Sequence, residues 1–100
     1  MNRTPMYKLR VPDHLVEFIR GLHPGIKRKV RGALKSITME PNAGKPLKDE
    51  LKGLRSFRVS RFRIIYRIAG QSEIQVVAIG PRERIYEETY RLIRKESKKQ

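Results

Sequence analysis

The sequence contains no cysteine and only two histidines, His14 and His23. Without cysteine there is no disulfide framework, no zinc site built on thiolates and no cysteine nucleophile. Two histidines are too few for a metal cluster made of histidine alone. These absences exclude several classes of metalloprotein and every cysteine-dependent enzyme.

Long hydrophobic runs are also missing. No stretch approaches the roughly 20 apolar residues that a membrane-spanning helix needs. The first residues, Met1 to Lys8, contain no hydrophobic core of a secretory signal. We therefore expect a cytoplasmic protein with no membrane partner.

Acidic residues are scarce, because 10 Asp and Glu stand against 24 Lys and Arg in 100 residues, for a net charge of +14. Solubility alone needs far less charge than this. The excess indicates a polyanionic partner: nucleic acid, a ribonucleoprotein or an acidic protein. The length fits one compact domain, so we expect a single domain over residues 1–100, with a core of about residues 6–95 and frayed termini.

The first half of the chain predicts one strand and two helices. Residues 7–11 alternate apolar and basic side chains, which favours a strand with Tyr7, Leu9 and Val11 facing the core. An amphipathic helix opens at Pro12, and a Pro-Gly turn joins it to a second one. The outer face of the second helix is basic and carries Lys27, Arg28, Lys29, Arg31 and Lys35.

The second half predicts an antiparallel meander and a last helix. After a loop at residues 41–46 and an irregular piece at 47–53, strands are expected at 57–59, 61–68 and 74–79. Gly80 and Pro81 would break the third strand, and a helix would follow over residues 84–95. Its inner side would carry Ile85, Thr89, Leu92 and Ile93.

This order of elements predicts an α+β domain: an N-terminal strand, a helical hairpin, an antiparallel three-strand meander and a C-terminal helix. The helical hairpin is expected to pack on one face of the sheet. The opposite face of the meander would then carry arginines.

Arginine is concentrated between residues 55 and 67, where no acidic residue occurs. Adjacent strands lie close to 5 Å apart, so arginines on neighbouring strands can converge on one phosphate. The planar guanidinium holds two phosphate oxygens at once. A solvated basic face without a ligand is the alternative, but the local absence of acids favours contact with nucleic acid. The arginines concerned are Arg55, Arg58, Arg61, Arg63 and Arg67, followed later by Arg82 and Arg84.

Aromatic residues are interleaved with these arginines, and an aromatic ring beside cations can stack on an unpaired RNA base. Phe62 and Tyr66 alternate with Ile64 and fit the core better than a base-stacking role. Tyr86 follows the arginine cluster and is the better functional candidate. Tyr90 lies one helical turn later and shares its face.

General bases are missing near the arginines, since neither histidine adjoins them in sequence and no metal-binding carboxylate pair is evident. Tyrosine and arginine titrate far above neutral pH, so such a site would mainly bind phosphate and stabilise transition-state charge. If the protein cleaves RNA, we expect poor activity on free RNA and better activity on a substrate that another body has positioned. No cofactor is expected.

A resemblance to a known family is carried by residues 54–68, by residues 77–86, and by residues 44–48 followed by 51–54. They resemble, in that order, the central hairpin, the last strand with its final motif, and the loop that enters the sheet in RelE/ParE-type toxins of type II toxin–antitoxin systems. The resemblance implies a RelE-like single domain. For RelE-like members it also implies a ribosome-dependent mRNA endonuclease, or mRNA interferase, that works without metal. The 2′-hydroxyl of the message attacks the adjacent phosphate and leaves a 2′,3′-cyclic phosphate.

The resemblance also implies roles for particular residues. Arg63 matches the arginine that holds the scissile phosphate, and Arg82 the arginine that stabilises the transition state or protonates the leaving oxygen. Arg58 stands where a basic residue, often lysine, occupies the cleavage centre, and Tyr86 is our choice for the terminal tyrosine. Ser56 falls where the family has a second basic residue. Candidates for binding message or ribosomal phosphates are Lys45, Lys48, Arg55, Arg61 and Arg84.

Two alternatives stay open from the sequence. The ParE branch inhibits DNA gyrase and has no need of a phosphate-binding centre, and an inactive RNA-binding relative would fit the neutral Ser56. In each toxin hypothesis the partner is a small acidic antitoxin, because a surface with a net charge of +14 must be covered to be silenced. The nuclease hypothesis adds the ribosome and mRNA as partners.

Overall fold

A five-stranded mixed sheet lies between two helical layers in the structure, a computed structural model that describes residues 7–98. The termini for which we expected fraying lie partly outside these described residues. The strands are β1 (Lys8–Arg10), β2 (Lys45–Pro46), β3 (Arg55–Val59), β4 (Phe62–Ala69) and β5 (Glu73–Pro81). The helices are α1 (Asp13–Arg20), α2 (Pro24–Met39) and α3 (Arg82–Lys98), with short 3₁₀ turns at Pro41–Ala43 and Asp49–Leu51.

The strand order is β1-β5-β4-β3-β2. The predicted antiparallel meander is confirmed as β3, β4 and β5. One edge is β1, which pairs parallel with β5, and the other is β2, which pairs antiparallel with β3. The sequence pattern predicts a loop where β2 lies, because two residues including a proline carry no strand periodicity and take their conformation from the partner strand.

The β3–β4 hairpin turns at residues 60 and 61, where Ser60 adopts a φ of 57°. A tight turn of this kind places Val59 opposite Phe62 and Arg58 opposite Arg63. The strand β3 begins at Arg55, two residues earlier than predicted, and β4 is shifted by one residue, from the predicted 61–68 to Phe62–Ala69. The hairpin therefore extends the arginine cluster over both strands.

The main core lies between the sheet and the α1–α2 hairpin, as predicted. It contains the apolar stripes of both helices and one face of the meander: Leu15, Ile19, Val30, Ala33, Leu34, Ile37, Val59, Ile64, Tyr66, Ile74, Val76 and Ile79. The prediction for Leu9 is wrong, since this residue is exposed on the short edge strand β1. Only the flanking Tyr7 and Val11 pack against the core.

A second, smaller core covers the opposite face of the sheet. It contains Leu54, Ile65, Ala78 and Ile85, and α3 closes it from outside. The expectation of an arginine face is therefore only partly right: arginines border an apolar patch. We did not foresee that α3 packs here.

The start of α3 also differs from the prediction. Gly80 and Pro81 do not break β5, because Pro81 is its last residue and needs no strand partner for the N–H it lacks. The helix begins at once with Arg82, two residues earlier than expected. Its buried side contains Ile85 and Thr89, whereas Leu92 is exposed. No helix among residues 7–98 is long and apolar enough to cross a membrane.

Candidate functional site

A basic cleft lies at the end of the sheet, where the β3–β4 turn meets the junction of β5 with α3. One cavity of about 420 Å³ is lined by Lys45, Pro46, Leu47, Lys48, Arg63, Arg82 and Tyr86. A second cavity of about 180 Å³ is lined by Arg58, Ser60, Arg61, Phe62, Arg63, Arg82 and Glu83. Arg63 and Arg82 border both cavities, so we treat the two as one site and call it the arginine cleft.

Strand register explains why the arginines meet. Arg58 on β3 lies directly opposite Arg63 on β4, and Arg63 lies opposite Gly80 on β5. The backbone N–H of Arg82 donates to the carbonyl oxygen of Arg61 at 3.1 Å, which fixes the start of α3 against the hairpin turn. Two adjacent strands and the start of α3 thus bring their basic side chains to one place.

The arginines of the cleft form no ion pair within the described part of the chain, although the carboxylate of Glu83 lies at the rim. The ion pairs there join Arg10 to Glu73, Arg20 to Glu17 and Arg91 to Glu87, all of them away from the cleft. Like charges directly opposite one another on neighbouring strands destabilise a sheet. Such an arrangement is typical of a site for an anion such as a phosphate.

The floor of the cleft is a hydrogen-bonded trio of Ser56, Tyr86 and Arg63. Ser56 is only 1% exposed. Its Oγ lies 3.1 Å from the hydroxyl oxygen of Tyr86 and accepts a hydrogen bond from Nη1 of Arg63 at 3.3 Å. The Nε of Arg63 is buried and has no partner among the described residues. A buried donor left without an acceptor is rare in folded proteins.

The two candidate tyrosines of α3 occupy different places. Tyr86 is in the first turns of the helix, packs against the second core and lines the cleft. Tyr90 lies under the guanidinium of Arg94, 5.7 Å from ring centre to Cζ, and lines neither part of the cleft. The sequence could not separate them, because the helix start decides which residue faces the sheet.

Tyr66 belongs to the core, as its alternation with Ile64 predicts, and its hydroxyl also forms two hydrogen bonds to a loop. It accepts a hydrogen bond from the backbone N–H of Gly44 at 2.9 Å and donates one to the carbonyl oxygen of Pro41 at 2.6 Å. Burial raises the pKa of this hydroxyl above its usual value. These two bonds tie the loop of residues 41–44 to the sheet, and we call them the loop anchor.

The loop anchor explains the placement of Arg55, Lys45 and Lys48. Arg55 lies opposite Tyr66, on the α1–α2 face of the sheet, and its Nη1 donates to the carbonyl oxygens of Gly44 and Asn42 at 2.6 and 3.2 Å. It is therefore part of the loop support and does not line the cleft. Lys45 and Lys48 follow the anchored loop and line the cleft.

The other predicted residues also fall into two groups, those that line the cleft and those that lie outside it. Arg61 is exposed on the hairpin turn and lines the smaller cavity, together with Arg58. Arg84 is exposed on α3 and lines neither cavity. The cleft therefore combines Arg58, Arg63, Arg82 and Tyr86 with three of the five residues proposed for phosphate binding.

Two contributors to the site were not identified from the sequence. Ser56 was noted only for lacking charge, although strand alternation places it on the same face as Arg58 and was a usable signal. Glu83 lines the smaller cavity and was assigned only to the helix start. Among residues 7–98 no three His, Asp or Glu side chains come together to hold a metal ion.

Solved structures with the same fold belong to RelE-type toxins. A chain of the RelBE2 toxin–antitoxin complex of Mycobacterium tuberculosis is 26% identical, with a TM-score of 0.68, and the match covers 82% of this chain and 98% of that one. Free Escherichia coli RelE, in a form with two arginine-to-alanine substitutions, is 18% identical with a TM-score of 0.70, over 92% and 98% of the two chains. The RelE–RelB complex of Pyrococcus horikoshii OT3 contains a chain that is 21% identical with a TM-score of 0.66, over 80% and 99%.

A comparison with curated protein sequences finds no match. A family model described as the ParE toxin of the type II toxin–antitoxin system parDE matches residues 7–86. This match covers the whole sheet and the part of α3 that borders the cleft. The chain therefore belongs to the ParE toxin family and is a RelE/ParE-type toxin of a type II toxin–antitoxin system.

Proposed function

We propose that this toxin is an endoribonuclease that cuts mRNA on the ribosome in the cytoplasm. The observation that carries the proposal is the arginine cleft, in which Arg63 and Arg82 face one space beside Tyr86. A gyrase-binding surface has no chemical need for arginines that converge on a phosphate-sized space. The RelE-type solved structures share the fold and agree with this choice.

The reaction that fits the cleft is an internal transfer at one phosphate of the message. The 2′-hydroxyl loses its proton to water and its oxygen forms a bond to the adjacent phosphorus. The bond from phosphorus to the 5′-oxygen of the next nucleotide breaks, and that oxygen takes up a proton. The products are a 2′,3′-cyclic phosphate and a free 5′-hydroxyl, and the protein needs only to position the phosphate and stabilise its charge.

Each residue of the cleft then has a role. Arg63, which lines both cavities, holds the non-bridging oxygens of the scissile phosphate with its guanidinium. Arg82 stabilises the charge that develops on the leaving side, and Arg58 adds positive charge across the strand pair. Tyr86 directs its hydroxyl at the leaving oxygen, while Lys45 and Lys48 bind the flanking phosphates.

The ribosome compensates for the missing general base by positioning the message. No histidine lines it, and its one carboxylate among the described residues belongs to Glu83 at the rim. Without a strong base, the rate depends on holding the 2′-oxygen in line with the departing oxygen. Message bound in the ribosomal A site is already held, whereas free RNA must be ordered by the toxin alone.

A second candidate function is inhibition of DNA gyrase, because the matching family model is that of the ParE toxin. In that case the cleft would be a protein-binding surface and its arginines would contribute charge without chemistry. A non-catalytic RNA-binding relative is the third, since Ser56 brings no charge to the floor.

We further propose that a small acidic antitoxin covers the cleft. The solved relatives from Mycobacterium tuberculosis and Pyrococcus horikoshii are toxin–antitoxin complexes. A net charge of +14 favours an acidic partner and fast association with it. Co-expression with the adjacent reading frame, followed by purification at 0.5 and 1 M salt, tests for a stable acidic partner.

The decisive test is cleavage of a defined message in a purified translation system. Message ends are mapped by primer extension with and without ribosomes, for the wild type and for Arg82→Ala. Arg84→Ala is the matched control, because Arg84 is on the same helix with the same charge and lies outside the cleft. We expect cuts only in the translated sample, about 100-fold or more slower in Arg82→Ala and unchanged in Arg84→Ala.

Other results would refute the nuclease. No cuts in either sample, together with loss of supercoiling by purified gyrase, would establish the ParE-type activity. Equal cutting by Arg82→Ala and the wild type would show that the arginine cleft is not the catalytic site.

A further inference from the structure

We propose that Ser56 is a positioning residue that sets the direction of the Tyr86 hydroxyl and turns its proton toward the cleft. The inference deepens the proposed nuclease function and rests on it for its catalytic consequence. It is carried by the trio of Ser56, Tyr86 and Arg63, whose hydrogen bonds can be assigned a direction.

The direction follows from what each group can donate. A guanidinium has five N–H donors and no acceptor, so the bond between Arg63 Nη1 and Ser56 Oγ has the serine oxygen as acceptor. The bond between Ser56 Oγ and the Tyr86 oxygen, 3.1 Å long, can run either way on geometry alone. The proton of Ser56 decides between the two directions.

Ser56 is 1% exposed, so water does not reach its hydroxyl. Among the described residues its Oγ contacts only Tyr86 and Arg63 as hydrogen-bond partners. If Tyr86 donated to Ser56, the serine proton would be buried without an acceptor, which proteins avoid. The satisfied arrangement therefore runs from Arg63 to Ser56 and from Ser56 to Tyr86.

This arrangement leaves the proton of Tyr86 unused by the protein. Tyr86 lines the larger cavity together with Arg63 and Arg82, so a proton turned away from Ser56 is turned toward the cleft. A phenol held in this way donates to an anionic oxygen without first breaking another bond. The guanidinium that binds the phosphate and the hydroxyl that donates to the leaving oxygen are then linked through one serine.

The position also accounts for a neutral residue where the family resemblance implied a basic one. An ammonium at this depth would lie against the guanidinium of Arg63 and would lose its hydration without a carboxylate in exchange. Arg58, two residues along β3 and on the same face, is exposed and retains the positive charge. At the floor of this cleft, the oriented hydrogen bond of Ser56 thus takes the place of a basic side chain, whose charge would be buried.

A double-mutant cycle tests whether Ser56 acts through Tyr86. Single-turnover cleavage on programmed ribosomes is measured for Ser56→Ala, Tyr86→Phe and the double variant, with Ser36→Ala, an exposed serine on α2, as control. We expect Tyr86→Phe to lower the rate about 100-fold and Ser56→Ala about tenfold, with KM nearly unchanged. The double variant should be about 100-fold slower, because Ser56 has nothing left to position.

A second readout does not need cleavage. In protein labelled with ¹³C at tyrosine Cζ, Ser56→Ala should move the signal of Tyr86 and leave those of Tyr66 and Tyr90 in place. An unchanged Tyr66 signal also shows that the variant is folded.

The two readouts separate the possible failures. A double variant about 1,000-fold slower, the product of the single effects, would overturn the positioning role, and so would an unmoved Tyr86 signal. If the wild type does not cut mRNA but Ser56→Ala moves the Tyr86 signal, the proposed function fails and the hydrogen bond between Ser56 and Tyr86 stands.

Discussion

Removing one oxygen atom from Tyr66 should loosen the whole approach to the cleft. Tyr66 is fully buried, and its hydroxyl holds both the N–H of Gly44 and the carbonyl oxygen of Pro41. Tyr66→Phe keeps the ring and its packing but removes both bonds. Gly44 is itself buried, so its N–H would lose its acceptor without gaining water.

The size of the effect follows from these contacts. A buried group left without a partner costs about 1–3 kcal/mol, and the second lost bond about 0.5–1.5 kcal/mol. We expect a total of about 1.5–4.5 kcal/mol, a large share of the 5–15 kcal/mol that stabilises a typical domain. At about 2 kcal/mol per molar urea, the middle of the usual range, a loss of about 3 kcal/mol should lower the midpoint of unfolding by roughly 1.5 M.

The assay is urea unfolding followed by circular dichroism, with Tyr90→Phe as the matched control because Tyr90 is outside the loop anchor. The control should stay within about 0.5 kcal/mol of the wild type. If Tyr66→Phe is equally close, the loop anchor does not stabilise the fold and our account of Lys45 and Lys48 fails.

The same variant has a pH signature. Burial raises the pKa of Tyr66 in the folded state above the ordinary value of 10.0, so the folded protein keeps this proton more tightly than the unfolded chain does. The stability from this group is fully present below pH 10 and is lost as the pH rises through the raised pKa. Tyr66→Phe should lack this part of the alkaline loss of stability, and an identical profile in both proteins would contradict the assignment.

Two further predictions use substitutions elsewhere in the structure. Gly44→Ala places a Cβ 2.5 Å from the hydroxyl oxygen of Tyr66 and should lower stability by about 1–3 kcal/mol. Gly32→Ala in α2 meets no atom within 4 Å and should raise stability by about 0.5–1 kcal/mol. Thermal melting measures both changes, and changes of the same sign would refute the steric argument. The pKa of Glu73 is lowered mainly by its hydrogen bond to Arg10. Glu73 therefore stabilises the fold above pH 4.5, and this effect is lost as the pH falls through the lowered pKa. Glu73→Gln should flatten the acid side of the profile of melting temperature against pH, and an unchanged slope below pH 4.5 would contradict this prediction.

The fold was predictable wherever side chains repeat with a clear period. The stripes of α1 and α2 and the alternation in β4 determine their own partners, since each buries one face against the sheet. By contrast, β2 is a strand only because Arg55 and Ser56 pair with it. The early start of α3 was also not predictable from local sequence. Pro81 usually indicates a break between elements, but here it is the last residue of β5 and the helix follows directly.

For the site, strand alternation predicts which arginines of β3 and β4 lie on the same face of the sheet. Arg58 and Arg63 lie on one face by alternation, whereas Arg55, three residues before Arg58, must lie on the other, so parity already argued against Arg55 in the cleft. The choice between Tyr86 and Tyr90 needed the rotation of α3 about its axis. A shift of the helix start by one residue turns its faces by about 100°, and no pattern in the sequence fixes that residue.

The two faces of the sheet divide the work of this small protein. On the α1–α2 face, Tyr66 and Arg55 use buried hydrogen bonds to hold a loop that has almost no secondary structure of its own. On the α3 face, Ser56 forms hydrogen bonds with Tyr86 and Arg63. The hydroxyls of Tyr66 and Ser56 are neutral and hydrogen-bonded, whereas the arginines at the rim are charged and form no ion pair among the described residues. Repulsion among those cations is relieved only when an anion enters, so message and antitoxin should compete for one surface that is least stable when empty.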